Sequence, residues 1–194
     1  LSPVLVSNPA YPVYHIDFSF SPLALGGSAL AQALGQLGDE TPRIEEPEYF
    51  REAFSAVQEL LQRGVLTAGH DISGGGLITA LLEMCFPSTK GGLSVDLTAF
   101  PEGDLVKLLF AENPGILVQT SAPEVLESVL RDASIGFARI AMPTTEGRAL
   151  TVRYGKKSSL TLDIDAKRDL WYRSSYLMDK YQSGEELAKA RYEG

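Results

Sequence analysis

Cysteine and long apolar runs are nearly absent from this 194-residue chain. The single cysteine, Cys85, cannot form a disulfide within the chain, and its apolar neighbours predict a buried, unreactive thiol. The apolar runs fall well short of the roughly 18 residues that a membrane-spanning helix requires. No signal peptide is recognisable, so we expect a cytoplasmic protein without membrane contact. The chain begins without Met and ends in charged residues, which suggests a piece of a longer protein.

Basic residues are fewer than acidic ones, 17 against 25, and the net charge is -8. This balance disfavours nucleic acid and anionic membranes as partners, because both bind basic surfaces. A phosphate ligand remains compatible with it, since backbone N–H groups can bind an anion without basic side chains. With 44% hydrophobic and 22% charged residues, the chain is expected to form a globular core.

Strand-like and helix-like patterns alternate along the chain, and the last three strands are nearly consecutive. Predicted strands span residues 13–20, 65–68, 93–97, 115–120, 135–141, 149–154 and 159–164, and predicted helices span 29–34, 48–63, 77–84, 104–110, 123–131 and 165–181. This order favours the α+β or mixed α/β class, with helices packed on the faces of a mixed sheet. Lys156 and Lys157 are predicted to form a solvated hairpin tip. We expect one domain over residues 1–182 and a polar tail over 183–194 that is free to be disordered.

The segment with most potential for chemistry is His-Asp-Ile-Ser-Gly-Gly-Gly-Leu at His70–Leu77. A strand that turns through glycines into a helix leaves backbone N–H groups unpaired at the positive end of the helix dipole, which suits a phosphate. The glycines alone fit a sharp turn with close helix packing equally well. The flanking polar side chains favour binding. The candidate binding residues here are His70, Asp71, Ser73, Gly74 and Gly75.

A second glycine loop opens the first predicted helix. Gly26, Gly27 and Ser28 fit a turn with an N-cap serine, and they are also candidates for ligand binding. If both loops lie at one end of the sheet, they could hold two ends of one ligand. His15 is expected to be a packed or edge histidine. Glu112 is expected in a turn from which it could face the site.

Several familiar catalytic motifs are missing. No Lys-Ser or Lys-Thr follows the glycines, as a P-loop requires, and their spacing differs from the dinucleotide-binding fingerprint. We assemble no Ser/His/Asp triad and find no Cys or His cluster with zinc-ligand spacing. The sequence therefore predicts no metal site, and the catalytic residues stay unassigned.

Three segments, in order, resemble the phosphoribosylformylglycinamidine synthase family, also called formylglycinamide ribonucleotide amidotransferase. His70–Leu77, followed by Ala80–Met84, is similar to the family's His-Asp-Ile/Val-Ser-Asp/Gly-Gly-Gly-Leu loop. Leu25–Leu30 resembles the opening of the corresponding domain, and Leu109–Gly115 resembles its Leu-Phe-x-Glu-x-x-Gly run. The resemblance covers roughly residues 13 to 180. It implies a C-terminal domain like that of aminoimidazole ribonucleotide synthetase, taken from the second of two synthetase repeats.

The resemblance implies a role in purine synthesis. The family's full-length enzyme makes formylglycinamidine ribonucleotide from formylglycinamide ribonucleotide, ATP and glutamine, with Mg²⁺, as an ATP-dependent ligase. The partners implied for this chain are the ribonucleotide substrate, the N-terminal synthetase domains and a glutaminase domain. No glutaminase Cys with a His and a Glu is recognisable here. The isolated domain is therefore expected to be inactive and to hold no cofactor by itself.

Two other interpretations remain open from the sequence. The chain could be the matching domain of a related ATP-dependent enzyme, such as aminoimidazole ribonucleotide or selenophosphate synthetase. It could also be a structural domain beside a nucleotide pseudo-site that serves stability rather than catalysis. Gly74 stands where many members of the family have Asp, which puts any metal or catalytic role at that position in doubt.

Overall fold

Seven strands form one mixed sheet in residues 2–155 and 158–193, the part of the chain that a computed structural model describes. The strands are β1 (Val13–Asp17), β2 (Leu66–Asp71), β3 (Gly92–Asp96), β4 (Gly115–Thr120), β5 (Phe137–Thr144), β6 (Ala149–Tyr154) and β7 (Ser158–Asp163). Their order across the sheet is β2-β4-β1-β5-β3-β6-β7. The pairs are antiparallel except β3 with β6, which is parallel. The predicted mixed sheet is confirmed. Lys156 and Lys157, at the predicted hairpin tip, lie outside the described residues.

Seven helices accompany the sheet in the described residues. They are α1 (Ala29–Ala33), α2 (Pro47–Gln62), α3 (Gly76–Cys85), α4 (Leu105–Phe110), α5 (Pro123–Asp132), α6 (Ile164–Ser183) and α7 (Glu185–Glu193). Side-chain caps fix several starts, because Ser28, Asp104 and Asp163 each accept a hydrogen bond from an N–H group in the first helical turn. Pro47 and Pro123 occupy first helical positions, where no N–H donor is needed.

Helices α2 and α5 cover one face of the sheet. Both are strongly amphipathic, and their apolar stripes meet the inward-facing residues of β1 and β4. The buried residues of this layer include Tyr14, Ile16, Leu60, Val118, Leu126 and Leu130. The Tyr14 hydroxyl donates to Glu127 Oε1 at 2.7 Å, which joins the central strand to α5.

Helix α3 covers the opposite face. Eight of its ten residues are buried, because the helix lies against the sheet and also contacts α4 and α6. This layer holds Leu81 and Met84 against Leu93, Leu117 and Leu150. An all-round apolar helix of this kind is expected only where both of its sides are covered.

The N-terminal segment is fixed to the sheet by a buried glutamine. Gln119 in β4 accepts hydrogen bonds from the Val6 N–H group and the Thr67 hydroxyl, and its amide nitrogen donates to the carbonyls of Val6 and Tyr11. A short parallel bridge joins Ser2 to β2. The segment before β1 is therefore part of the folded layer.

Residues 183–194, expected to be a polar tail, contain helix α7. It lies against α6, with Ala188 buried between them. Arg191 donates to Asp179 Oδ2 at 2.7 Å and also contacts Ser183. The outer face of α6 stays exposed.

Candidate functional site

Three sequence motifs meet at the end of the sheet where β2 finishes and β4 begins. A single oxygen, Glu112 Oε1, accepts hydrogen bonds from the N–H groups of Gly75 at 2.8 Å and Ala29 at 2.7 Å. Gly75 belongs to the loop before α3, and Ala29 is the first residue of α1. The two predicted glycine loops therefore lie side by side, which the sequence had left open, and the motif containing Glu112 joins them.

The loop between β2 and α3 needs glycine at two of its three glycine positions. Gly75 and Gly76 have φ values of 90° and 71°, in the region that L side chains rarely adopt. A Cβ atom on Gly76 would lie 2.7 Å from the Leu109 carbonyl oxygen, so this glycine also permits close packing of α3 on α4. Gly74 meets neither constraint, because its φ is not positive and a Cβ there would contact nothing within 4 Å.

Most N–H groups of this loop are paired inside the protein. Ile72 donates to the Gly115 carbonyl, Gly76 donates to the Ser73 carbonyl, and Gly75 donates to Glu112. In residues 2–155 and 158–193, the N–H groups of Ser73 and Gly74 have no protein acceptor. These two exposed residues therefore carry the donors of the loop that could still receive an anion.

The other predicted loop has its donors engaged. Gly26 donates to the Glu40 carbonyl at 2.7 Å and Gly27 donates to the Leu37 carbonyl at 2.8 Å. Ser28 is buried, and its hydroxyl accepts from the Ala31 N–H group. A Cβ on Gly26 would lie 2.2 Å from the Glu40 carbonyl oxygen, so glycine is required there by close backbone contact.

A buried asparagine fixes the approach to this loop. Asn113 Oδ1 accepts from the Ala24 N–H group at 3.1 Å, and Nδ2 donates to the Ser21 hydroxyl and the Pro22 carbonyl, each at 3.0 Å. Asn113 is 5% exposed. All of its side-chain hydrogen bonds therefore hold the chain between β1 and α1 against the start of β4.

His70 and Asp71 lie in strand β2 and face opposite sides of the sheet. Leu117 is the partner of His70 and Ile116 is the partner of Asp71 across the β2–β4 pair, and successive side chains of a strand alternate. The imidazole Nδ1 contacts the Asp71 carbonyl oxygen at 2.8 Å, and Nε2 lies 3.4 Å from Glu83 Oε2 on α3. The Asp71 side chain is 77% exposed. The structure thus brings Ser73, Gly74 and Gly75 together, and the exposed Asp71 carboxylate lies 3.7 Å from the imidazole Nδ1.

A cleft beside the central strand was not predicted. It has a volume of about 580 Å³ and is lined by His15, Asp17, Phe100, Glu102 and the start of β5, among others. Burial lowers the pKa of His15, which favours the neutral imidazole, and the neighbouring Asp17 opposes this in part. The alternation of β1, which places residues 15 and 17 on one face, was the only sequence signal for it.

Metal-ligating and nucleophilic groups are sparse in the described ranges. Residues 2–155 and 158–193 contain no group of three His, Cys, Asp or Glu side chains arranged to hold a metal ion. Burial raises the pKa of the Cys85 thiol to about 12, which fits the unreactive thiol expected from the sequence. Over the same ranges, no helix is both long and apolar enough to cross a membrane.

Comparison with known proteins agrees with the motifs. Residues 18–141 match the model of the AIR synthase related protein, C-terminal domain. The chain is 36% identical over 163 residues to the Homo sapiens phosphoribosylformylglycinamidine synthase, a match that covers 82% of the chain and 12% of the human protein. It is 33% identical over 184 residues to the probable chloroplastic/mitochondrial enzyme of that name in Arabidopsis thaliana, covering 93% of the chain and 13% of the relative. The chain thus spans a small part of these relatives.

Solved structures show the same fold. T. maritima PurL, solved as a complex with ATP, superposes with a TM-score of 0.64 at 17% identity over 85% of this chain and 27% of PurL. The hydrogenase maturation protein HypE superposes with a TM-score of 0.53 at 18% identity over 80% of this chain and 53% of HypE. The synthetase-type C-terminal fold expected from the resemblance is confirmed.

Proposed function

The chain belongs to the family of AIR synthase related proteins, as their C-terminal domain, and from this premise we propose that it is one domain of a phosphoribosylformylglycinamidine synthase. The observation that carries the proposal is the meeting of three motifs at Glu112, where the segments that resemble this enzyme are hydrogen-bonded to one carboxylate oxygen. Relatives of that name match most of the chain. The whole enzyme would convert formylglycinamide ribonucleotide, ATP and glutamine into formylglycinamidine ribonucleotide.

Within that enzyme, the domain would bind and orient a phosphate group. The N–H groups of Ser73 and Gly74 and the Ser73 hydroxyl lie just before α3, whose dipole favours an anion at this end. Phosphoryl transfer depends mainly on positioning and charge stabilisation, which here would need the other synthetase domains. The isolated domain would therefore be inactive.

ATP and Mg²⁺ would belong to the assembled enzyme. The free donors before α3 suit a nucleotide or ribonucleotide phosphate, and T. maritima PurL is known with ATP. For Mg²⁺, the described residues offer no preformed ligand set, so we derive no step through a metal on this chain. The other partners would be the N-terminal synthetase domains and a glutaminase that supplies ammonia. A cytoplasmic location stays a prediction, and the plant relative is named chloroplastic/mitochondrial.

The test compares the isolated chain with the parent enzyme. With ammonia, ATP and formylglycinamide ribonucleotide, the isolated chain should form no product, whereas the parent should turn over. Ser73→Ala and His70→Ala in the parent should raise KM or lower kcat, and Glu146→Ala, in the exposed turn between β5 and β6 at the other end of the sheet, should not. Wild-type rates from both loop variants would refute a ligand-binding role for the loop.

One observation favours a structural role as the second candidate. The N–H groups of Gly26 and Gly27 already donate to backbone carbonyls, and the N–H group of Gly75 already donates to Glu112. In that case the loops would stabilise a nucleotide pseudo-site while the chemistry takes place in the other repeat. The nucleotide content of the purified parent separates the two roles. If the role is structural, loop variants should lose bound nucleotide and thermal stability together while the remaining folded enzyme keeps its KM.

A further inference from the structure

We propose that Glu112 is a positioning residue that acts as an internal anion and couples the two glycine loops into one unit. Its Oε1 oxygen is shared by the N–H group of Gly75, the N-cap residue of α3, and the N–H group of Ala29, the first residue of α1. The assignment stands on these contacts and holds whichever ligand the loops receive.

The charge of Glu112 is balanced by backbone dipoles. In the described residues, no Lys, Arg or His nitrogen lies within 4.0 Å of its carboxylate, and its two hydrogen-bond donors are main-chain N–H groups at helix starts. Hydrogen bonds from N–H groups to a carboxylate are about twice as strong as those to a neutral acceptor. The carboxylate therefore occupies the position that an external anion would take at Gly75.

The backbone that carries Glu112 is itself held in place. The Ala111 N–H group donates to the Lys107 carbonyl, which continues the last turn of α4, and the side chain of Asn113 is fully engaged with residues 21–24. Two consecutive side chains thus hold both ends of the segment between residues 21 and 29. Movement of the β2–α3 loop at Gly75 must then move α1 or break the shared contact.

If the two loops are coupled in this way, two amide groups that lie far apart in the sequence should both respond to the charge of one carboxylate. In ¹⁵N-labelled protein of the full 194 residues, the amide shifts of Gly75 and Ala29 should follow pH with one common midpoint. Glu112→Gln keeps the size of the side chain and should abolish the response that the two amides share. His70 and Asp71 precede the same loop, and any pH response of Gly75 that comes from them should persist in Glu112→Gln.

Hydrogen exchange supplies the second readout. Glu112→Ala should accelerate hydrogen exchange of the Gly75 and Ala29 amides together by at least about tenfold. Glu112→Gln should give rates between those of the wild type and Glu112→Ala. The exchange rates of the β4 amides should not change in either variant. Glu102→Gln is the matched control, because Glu102 is also half-buried and, among the described residues, its carboxylate accepts only from the nearby Asp104 N–H group. Different midpoints for the two amides in the wild-type protein, or unchanged exchange of either amide in Glu112→Ala, would overturn the proposal.

Discussion

The three adjacent glycines at 74–76 meet different physical demands, although they are identical in sequence. Gly76 combines a φ of 71° with a hypothetical Cβ 2.7 Å from backbone atoms of Leu109 and Phe110, whereas Gly74 has neither constraint. Gly76→Ala should therefore lower the free energy of unfolding by about 2–4 kcal/mol. Gly74→Ala should change it by less than about 0.5 kcal/mol. Urea denaturation measures both, and equal losses from the two variants would contradict this account.

The pairing of Asp96 with Arg153 across the parallel strands β3 and β6 gives a pH-dependent contribution to stability. Hydrogen bonds from Arg153 and Thr98 lower the pKa of Asp96 to about 2. Because the folded-state pKa is depressed, the stabilisation is present above the unfolded pKa of about 3.9 and is lost as pH falls towards 2.

The expected size of this effect is small, since the Asp96 side chain is 41% exposed and solvent screens the pair. Asp96→Asn should lower the free energy of unfolding by about 0.5–1 kcal/mol at pH 7 and by almost nothing near pH 2. Denaturation curves at several pH values measure it, with Asp39→Asn as the control. A loss that is constant over pH would exclude the carboxylate as the cause.

Sequence reasoning predicted the turn through glycines between a strand and a helix, but not the contacts that this turn makes. The loop around Gly75 could be predicted because glycines between a strand pattern and a helix pattern indicate a turn. Glu112 was expected only as a turn residue that could face the site, since nothing local shows that its carboxylate reaches Ala29 and Gly75. That contact depends on where β4 lies beside β2, which is a long-range property.

At the scale of elements, most strands and helices match the predictions, and the differences have local causes. The predicted strand over residues 13–20 ends at Asp17, because the Asp17 carboxylate accepts from the N–H groups of Ser19 and Phe20 and turns the chain. Strand β2 continues through Asp71, because pairing with β4 supplies hydrogen bonds that local pattern does not reveal. His70 and Asp71 are therefore strand residues.

Helix α7 shows how a short polar helix depends on its neighbour. Nine residues are too few for a stable isolated helix in water, so α7 must be held by α6 through Ala188 and by Arg191 with Asp179. Arg191→Ala should increase hydrogen exchange throughout residues 185–193 and leave the sheet unchanged. Exchange measured by mass spectrometry tests this. Arg173→Ala, at an exposed position of α6, is the control, and unchanged exchange in α7 would show that the ion pair is dispensable.

At the scale of the whole molecule, the face of α6 turned away from α7 leaves apolar side chains in contact with water. Leu170, Leu177 and Met178 are 61%, 53% and 63% exposed and lie on one side of the helix. Exposed apolar surface of this kind favours association.

The isolated chain should therefore self-associate as its concentration rises. Replacing both Leu177 and Met178 by Gln should raise the apparent dissociation constant by at least about a hundredfold, since burying each such side chain contributes on the order of 1.5–3 kcal/mol and about 1.4 kcal/mol is tenfold in affinity. Sedimentation equilibrium measures the change. Leu37→Gln removes a similarly exposed leucine elsewhere and should have no effect. If the double variant associates as strongly as the wild type, another surface is responsible.

The fold class could be predicted from the order of elements, but the topology could not. Helix and strand periodicity indicated a mixed sheet, whereas nothing in the sequence of β3 shows that it lies between β5 and β6 and is parallel to one of them. Strand order is decided by which apolar faces pack together. Local patterns do not contain that information.

The first strand of the chain occupies the middle of the sheet, and this has a consequence for biosynthesis. β1 pairs with β4 and β5, which lie between residues 115 and 144 and are therefore synthesised after it. During translation, most of the chain must therefore leave the ribosome before the backbone groups of Val13–Asp17 can form hydrogen bonds with a neighbouring strand. Such non-local pairing slows folding and leaves β1 unpaired in the nascent chain, where it is open to aggregation until β4 and β5 emerge.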